Sequence, residues 1–208
     1  DYYLWSRAMQ PKHLPADERR AVTVEAVLEL AAQQNPSNIT TAAIAKHMGV
    51  TQGALFRHFP SKEAILESVM DWVADRLLAR IDKAVHGAST PLLALEAMFM
   101  AHVAFFVEHP GIPRMLFGEL QRAEMTAPKR MAQKMLRRYR ERLVALIEDG
   151  KLKGQVSSNI DTAAVGTLFI GMIQGLVMQS LLAGEVQLIR KEAPGVFSLF
   201  QLAIEART

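Results

Sequence analysis

The chain contains no cysteine. That absence excludes disulfide frameworks, thiolate nucleophiles and thiolate zinc sites together, and it makes a reducing cytoplasm the natural compartment. No window alternates convincingly between apolar and polar residues at period two, which excludes a sheet. There is no phosphate-binding glycine loop, nucleophile elbow, paired-histidine zinc helix or credible His-Asp-Ser spacing, so no catalytic residue is nominated and no cofactor is implied. His102 and His109 lie seven apart on one helical face, but without a third ligand nearby they do not make a metal site. The opening segment has no continuous apolar run and no plausible cleavage site, unlike a signal peptide.

What is present is a chain of 208 residues, half of them hydrophobic, long enough for one large domain or two small ones. Its formal charge is +3, which permits an anionic partner without demanding one. The distribution is more telling. Residues 36–62 carry Lys46, Arg57 and Lys62 and no carboxylate, although both flanks are acid-rich. Residues 114–153 hold 11 basic and 5 acidic side chains. There, Met131, Met135, Tyr139, Leu143 and Ile147 claim a buried helix face and push most of the charges to solvent.

The periodicity predicts an all-α protein of about nine helices. Val24, Val27, Leu28 and Ala31 line one face of a first helix that ends at Asn35-Pro36. Thr40 caps a short helix to about His47, Gly49 marks a turn, and Thr51 caps the next helix to about His58. Ser61 starts a long helix, and Thr90-Pro91 opens one that runs to His109. Further helices are expected near 112–123, 127–149, 161–183 and 194–206. Residues 1–14 show no sustained period and read as an unstructured arm or foreign remnant; the other reading is an arm whose Arg7 and Lys12 reach a DNA minor groove. Residues 162–184 hold no charge, the length of a membrane span, but Thr162, Gln174, Gln179 and Ser180 interrupt them and acidic residues flank them. A buried packing or dimer helix, with no membrane, is the expectation.

The sharpest signal is the run from Ile39 to Lys62, two short helices joined through a glycine turn, the sequence form of a helix-turn-helix. Ile44, Ala45, Val50 and Leu55 are spaced to pack the two helices together, which leaves the polar residues of the second facing out. Such a helix fits the DNA major groove, where side chains can read base edges.

With Gly49-Val50-Thr51-Gln52-Gly53-Ala54-Leu55-Phe56-Arg57-His58-Phe59-Pro60-Ser61-Lys62 in this register, the chain resembles the tetracycline-repressor (TetR) family of transcriptional regulators. The resemblance implies a helix-turn-helix DNA-binding domain over 15–62 and a helical ligand-binding and dimerisation domain over 63–208. Carried over by position, Thr51, Gln52, Gly53, Phe56, Arg57 and His58 form the recognition surface, and Thr40, Thr41, His58 and Lys62 meet phosphates. Gln52 has the groups to select adenine and Arg57 those to select guanine. Phe56 stands where the family usually has tyrosine, so a phosphate-reaching hydroxyl is missing, and Ala42 and Ala43 replace polar side chains of many relatives.

The family further implies a cytoplasmic homodimer on double-stranded operator DNA, a repressor released by a small apolar or amphipathic effector. Eight of the eleven methionines fall between Met98 and Met178, a composition that suits an adaptable pocket or an ordinary core. Phe99, His102, Phe106, Met135, Tyr139 and Gln174 are the candidate ligand residues. Gly171, Gly175, Met178 and Phe197 are the candidate dimer residues, on the last two helices. The rival functions are an apolar-ligand carrier with a vestigial DNA-binding head and an enzyme that uses the helical cavity.

Overall fold

A computed structural model describes residues 15–206. The arm expected over 1–14 lies outside the described residues. Among the described residues nine α-helices follow in order: α1 (Ala16–Gln33), α2 (Thr41–His47), α3 (Gln52–Phe56), α4 (Lys62–His86), α5 (Pro91–Glu108), α6 (Gly111–Leu120), α7 (Ala127–Leu152), α8 (Thr162–Ala183) and α9 (Gln187–Ile204), with a 3-10 turn at Pro36–Asn38 between the first two. Among the described residues the only β-type pairing is an isolated bridge between Val156 and Glu205.

Local chemistry sets most boundaries. The hydroxyls of Thr40, Thr51 and Ser61 accept from the amides of Ala43, Ala54 and Ala64 at 3.1, 3.1 and 3.2 Å, so α2, α3 and α4 each begin on a side-chain cap. Gly49, at φ +68°, supplies the left-handed residue that reverses the chain between α2 and α3. Thr90 with Pro91, Thr126 with Pro128, and Asp161 open α5, α7 and α8 in the same manner.

Several boundaries differ from the sequence reading. The helix α3 stops at Phe56, so Arg57 and His58 stand in the turn that closes it. The next differences are small: α6 spans Gly111–Leu120 and α7 continues to Leu152. The last helix begins at Gln187 and carries Pro194 inside it. Proline at a helix start is common, which is why the spacing placed the start there. Here the buried positions Ile189, Ala193, Phe197, Phe200 and Ile204 recur every three or four residues across Pro194, and that burial offsets the lost backbone bond.

The core runs through both parts of the chain. Ile44, Leu55 and Phe59 of the head join Ile65, Val69 and Val73 of α4, and these continue into Leu95, Phe99, Leu143 and Phe169. Rings of Phe99, Phe169, Phe197 and Phe200 pack at 5.4 to 5.7 Å and tie α5, α8 and α9 together. Both α5 and α8 are long and apolar enough to cross a membrane by composition alone, but here each contributes buried residues to this shared core. At the join with the head, α6 meets α1 so closely that a Cβ on Gly111 would lie 2.2 Å from the carbonyl oxygen of Leu28.

Candidate nucleic-acid interface

Packing decides which side chains of the helix-turn-helix face outward. Ile44, Ala45, Leu55 and Phe59 are buried against α1 and α4, and Val50 is half-buried between the helices. The turn is tightened by backbone bonds from Gly49 to Lys46 at 3.1 Å and from Val50 to Ala45 at 2.9 Å. What remains outside is Thr40, Thr51, Gln52, Gly53, Phe56, Arg57 and His58, all exposed, with Thr41 and Lys62 half-buried beside them. Beyond its chain neighbours and its own helix backbone, no atom lies within 4 Å of the position a Cβ on Gly53 would take, so the backbone there is open to a close-approaching surface. Lys62 sits at the start of α4, whose free amides add positive potential.

Two hydrogen bonds organise this face. Gln52 Nε2 donates to Thr41 Oγ1 at 2.7 Å, and an Arg19 guanidinium nitrogen lies 2.5 Å from His58 Nε2. A guanidinium has only donors, so His58 accepts at Nε2 and Arg19 places its cation beside a candidate phosphate contact. Arg19 was not read as functional from the sequence, because it belongs to α1, 39 residues away, amid acidic neighbours. A hollow of about 680 Å³ under the recognition segment is lined by Arg19, Met48, Thr51, Arg57 and His58, among others. Of the neighbouring carboxylates, Glu29 turns to His47 at 2.6 Å.

Several cations of α7 are committed elsewhere. Arg142 makes a two-pronged bond to Asp82 of α4 at 2.6 and 2.8 Å, Arg138 lies 3.9 Å from Asp75, and Arg130 donates to the carbonyl of Met125 at 2.8 Å. Beside Arg142, the Asp82 carboxyl is held below the usual carboxylate range. The expected solvated face is therefore in part a set of ion pairs that staple α7 to α4.

The family model described as bacterial regulatory proteins, tetR family, matches residues 24–69, which contain α2, α3 and the start of α4. That match places the DNA-binding region of the chain with the tetR family. A nucleoid occlusion factor SlmA from Marinomonas sp. (strain MWYL1) is 26% identical over 161 residues, covering 77% of this chain and 82% of that protein. The fatty acid degradation regulator FadR from Bacillus halodurans superposes with a TM-score of 0.81 at 19% identity, covering 94% of this chain and all of that one. FadR from Bacillus subtilis, solved in complex with stearoyl-CoA, gives 0.78 at 18%, covering 88% and 98%.

In the rest of the chain the candidate ligand residues divide. His102 and Tyr139 meet through a 3.0 Å bond between Nδ1 and the hydroxyl, and the Phe106 ring lies 4.6 Å from the imidazole. Phe99 is sealed in the ring cluster of α5, α8 and α9, Met135 is half-buried on α7, and Gln174 is exposed on α8, away from this interior group. His109 engages other partners, the carbonyl of Phe105 at 3.0 Å and the edge of Trp72, so the two histidines do not converge.

The candidate dimer residues divide as well. Gly171 and Met178 are exposed and Gly175 is half-buried, whereas Phe197 is buried against Phe99 and Phe200 within its own chain and presents nothing outward. The outward surface is Leu168, Met178 and Leu182 of α8 with Leu199 and Leu202 of α9, exposed by 50, 42, 81, 70 and 66%. Positions 168, 171, 175, 178 and 182 recur at three and four, so the candidates Gly171, Gly175 and Met178 share a face with Leu168 and Leu182, which the sequence reading did not name.

Proposed function

We propose that the regulator acts as a homodimer that binds a near-palindromic double-stranded operator through residues 51–62 and lets it go when a small apolar or amphipathic effector occupies the helical domain of residues 63–208. The observation that carries this reading is the carboxylate-free outward face that presents Thr51, Gln52, Gly53, Phe56, Arg57 and His58, flanked by Thr40, Thr41 and Lys62. A recognition helix of five residues reads few bases. Two heads set roughly 34 Å apart, one helical turn, supply affinity and specificity together. The exposed leucines of α8 and α9 give a self-complementary apolar face for pairing, and such a face is costly to leave in water.

Release follows from linkage. An effector shifts the equilibrium only by binding more tightly to the geometry that does not fit the operator. The helix α4 is the shared element: its first residue is Lys62 at the DNA face, and its later turns pack on α5 and α7. FadR from Bacillus subtilis holds stearoyl-CoA, which supports an effector with a long apolar part. The site of action is the cytoplasm, where bacterial DNA resides.

Selection of bound sequences from a random double-stranded pool tests the reading. Enrichment of an inverted repeat with half-sites one turn apart is expected; no enrichment would favour the carrier with a vestigial head, or an enzyme. The naming of relatives as nucleoid occlusion factors supports a second role, in marking the nucleoid rather than switching promoters. Chromosome-wide occupancy separates the two, since promoter control concentrates on few sites and nucleoid marking spreads over many.

A further inference from the structure

One polar atom in the interior of the helical domain lacks a partner. His102 Nε2 is buried with no hydrogen-bond partner, while Nδ1 of the same ring lies 3.0 Å from the Tyr139 hydroxyl. Native proteins leave few buried polar atoms alone, and those that remain call for an explanation.

Counting protons assigns the tautomer. The pair holds one hydroxyl hydrogen and, on a neutral imidazole, one ring hydrogen. If the hydroxyl donates to Nδ1, the ring hydrogen is on Nε2 and one group is left unpaired. If Nδ1 donates to the hydroxyl oxygen, both the hydroxyl hydrogen and the Nε2 lone pair are left. The first arrangement costs less, so Nε2 carries a hydrogen and is a donor in search of an acceptor. The ring is also neutral, because burial alone pulls its pKa down to about 3.

The surroundings narrow the acceptor. The rings of Phe106 and Tyr139 lie 4.6 and 5.1 Å from the imidazole, so aromatic rings flank it and supply no acceptor for Nε2. Nε2 is enclosed, while His102, Phe106 and Met135 each keep part of their surface accessible. An anionic oxygen there would lose its hydration with no charge to offset the loss. A pure hydrocarbon would leave the donor unpaired.

We propose that His102, oriented by Tyr139, is the hydrogen-bond donor of the effector site, and that the effector is an apolar molecule bearing an uncharged oxygen acceptor such as a ketone, ester or amide carbonyl. This rests on the effector reading above and specifies the chemistry of its site. Gln174, exposed on α8, takes no part.

Equilibrium dialysis of the full chain against decane, 2-decanone and decanoate tests it. In His102→Leu the ratio of 2-decanone to decane affinity is expected to fall about tenfold relative to wild type, the size of one buried hydrogen bond. His102→Gln, whose amide can donate, restores part of the ratio. Tyr139→Phe lowers it, since Nδ1 is then free to take the proton, and this variant carries the test where His102→Leu fails to fold. An unchanged ratio in folded His102→Leu or Tyr139→Phe overturns the proposal, as does tighter binding of decanoate than of 2-decanone to the wild type. Binding of decane and 2-decanone with an unchanged ratio leaves the effector reading standing. If neither binds the wild type, that reading falls together with the proposal.

Discussion

The side-chain amide of Gln52 donates to the hydroxyl of Thr41 at 2.7 Å, which ties the first residue of the recognition helix to the first residue of the helix before it. The bond uses one of the two hydrogens of the Gln52 side-chain amide. Gln52→Ala is expected to relax base preference at one operator position, at a cost of about 1–3 kcal/mol, and Arg57→Ala at another. Thr41→Val removes the tether and keeps the shape, so it should weaken binding at the position Gln52 reads and no other. Binding measured across single-base operator variants checks all three, and an unaltered preference in Gln52→Ala removes that residue from the readout.

Salt dependence distinguishes the two basic regions. Lys62 is free to meet a phosphate, and Lys62→Ala should weaken binding to every sequence alike and lower the salt slope by about one. Replacing Arg138, Arg140 and Arg142 together by glutamine should leave that slope unchanged. Arg138 and Arg142 face Asp75 and Asp82, and Arg140 reaches the Thr167 hydroxyl. A flattened slope in the triple variant would put α7 on the DNA.

These contrasts follow from what a linear sequence encodes. The caps Thr40, Thr51 and Ser61 act within three residues of themselves, so the helix-turn-helix and its outward face were legible, as was the all-helical architecture. Pro194 was misread because the burial that carries α9 through it comes from other helices. Phe197 was placed at the surface because an apolar residue does not say which neighbour covers it; the cover is Phe99, on α5. The pairing of His102 with Tyr139, 37 residues apart, and the contact of Gly111 with α1 belong to tertiary packing and leave no spacing signal.

Acid should weaken the fold through His102. In the unfolded chain a histidine takes up its proton near pH 6.5, whereas burial holds His102 neutral until about 3. Between these values the unfolded state binds the extra proton, so stability falls as pH drops, by at most about 1.4 kcal/mol per pH unit from this group. The carboxyls of Asp82 and Glu108, held low by Arg142 and Arg80, add their loss only at more acid pH, and both pairs are partly exposed and screened. Urea unfolding at pH 6.5 and 5.0, at fixed protein concentration, should show a lower midpoint at pH 5.0 in wild type and a smaller drop in His102→Gln. Equal drops would mean that His102 is not held neutral.

Assembly turns on the difference between Phe197 and its exposed neighbours. Leu199 and Leu202 project from α9 with most of their surface bare, on the side away from Phe197 and Phe200. A glutamate at either position would be harmless in a monomer but would bury a charge in a paired α8/α9 face. Leu199→Glu and Leu202→Glu, like glutamate at Gly171 or Gly175, should therefore give folded monomers by sedimentation equilibrium, with helical content by circular dichroism retained. Phe197→Ala should do the reverse, keeping the dimer while costing about 3–5 kcal/mol of stability through the cavity it opens. Monomers that still bind a full operator as tightly as wild type would show that the heads do not need each other. Dimers that survive both glutamates would move the interface off α9.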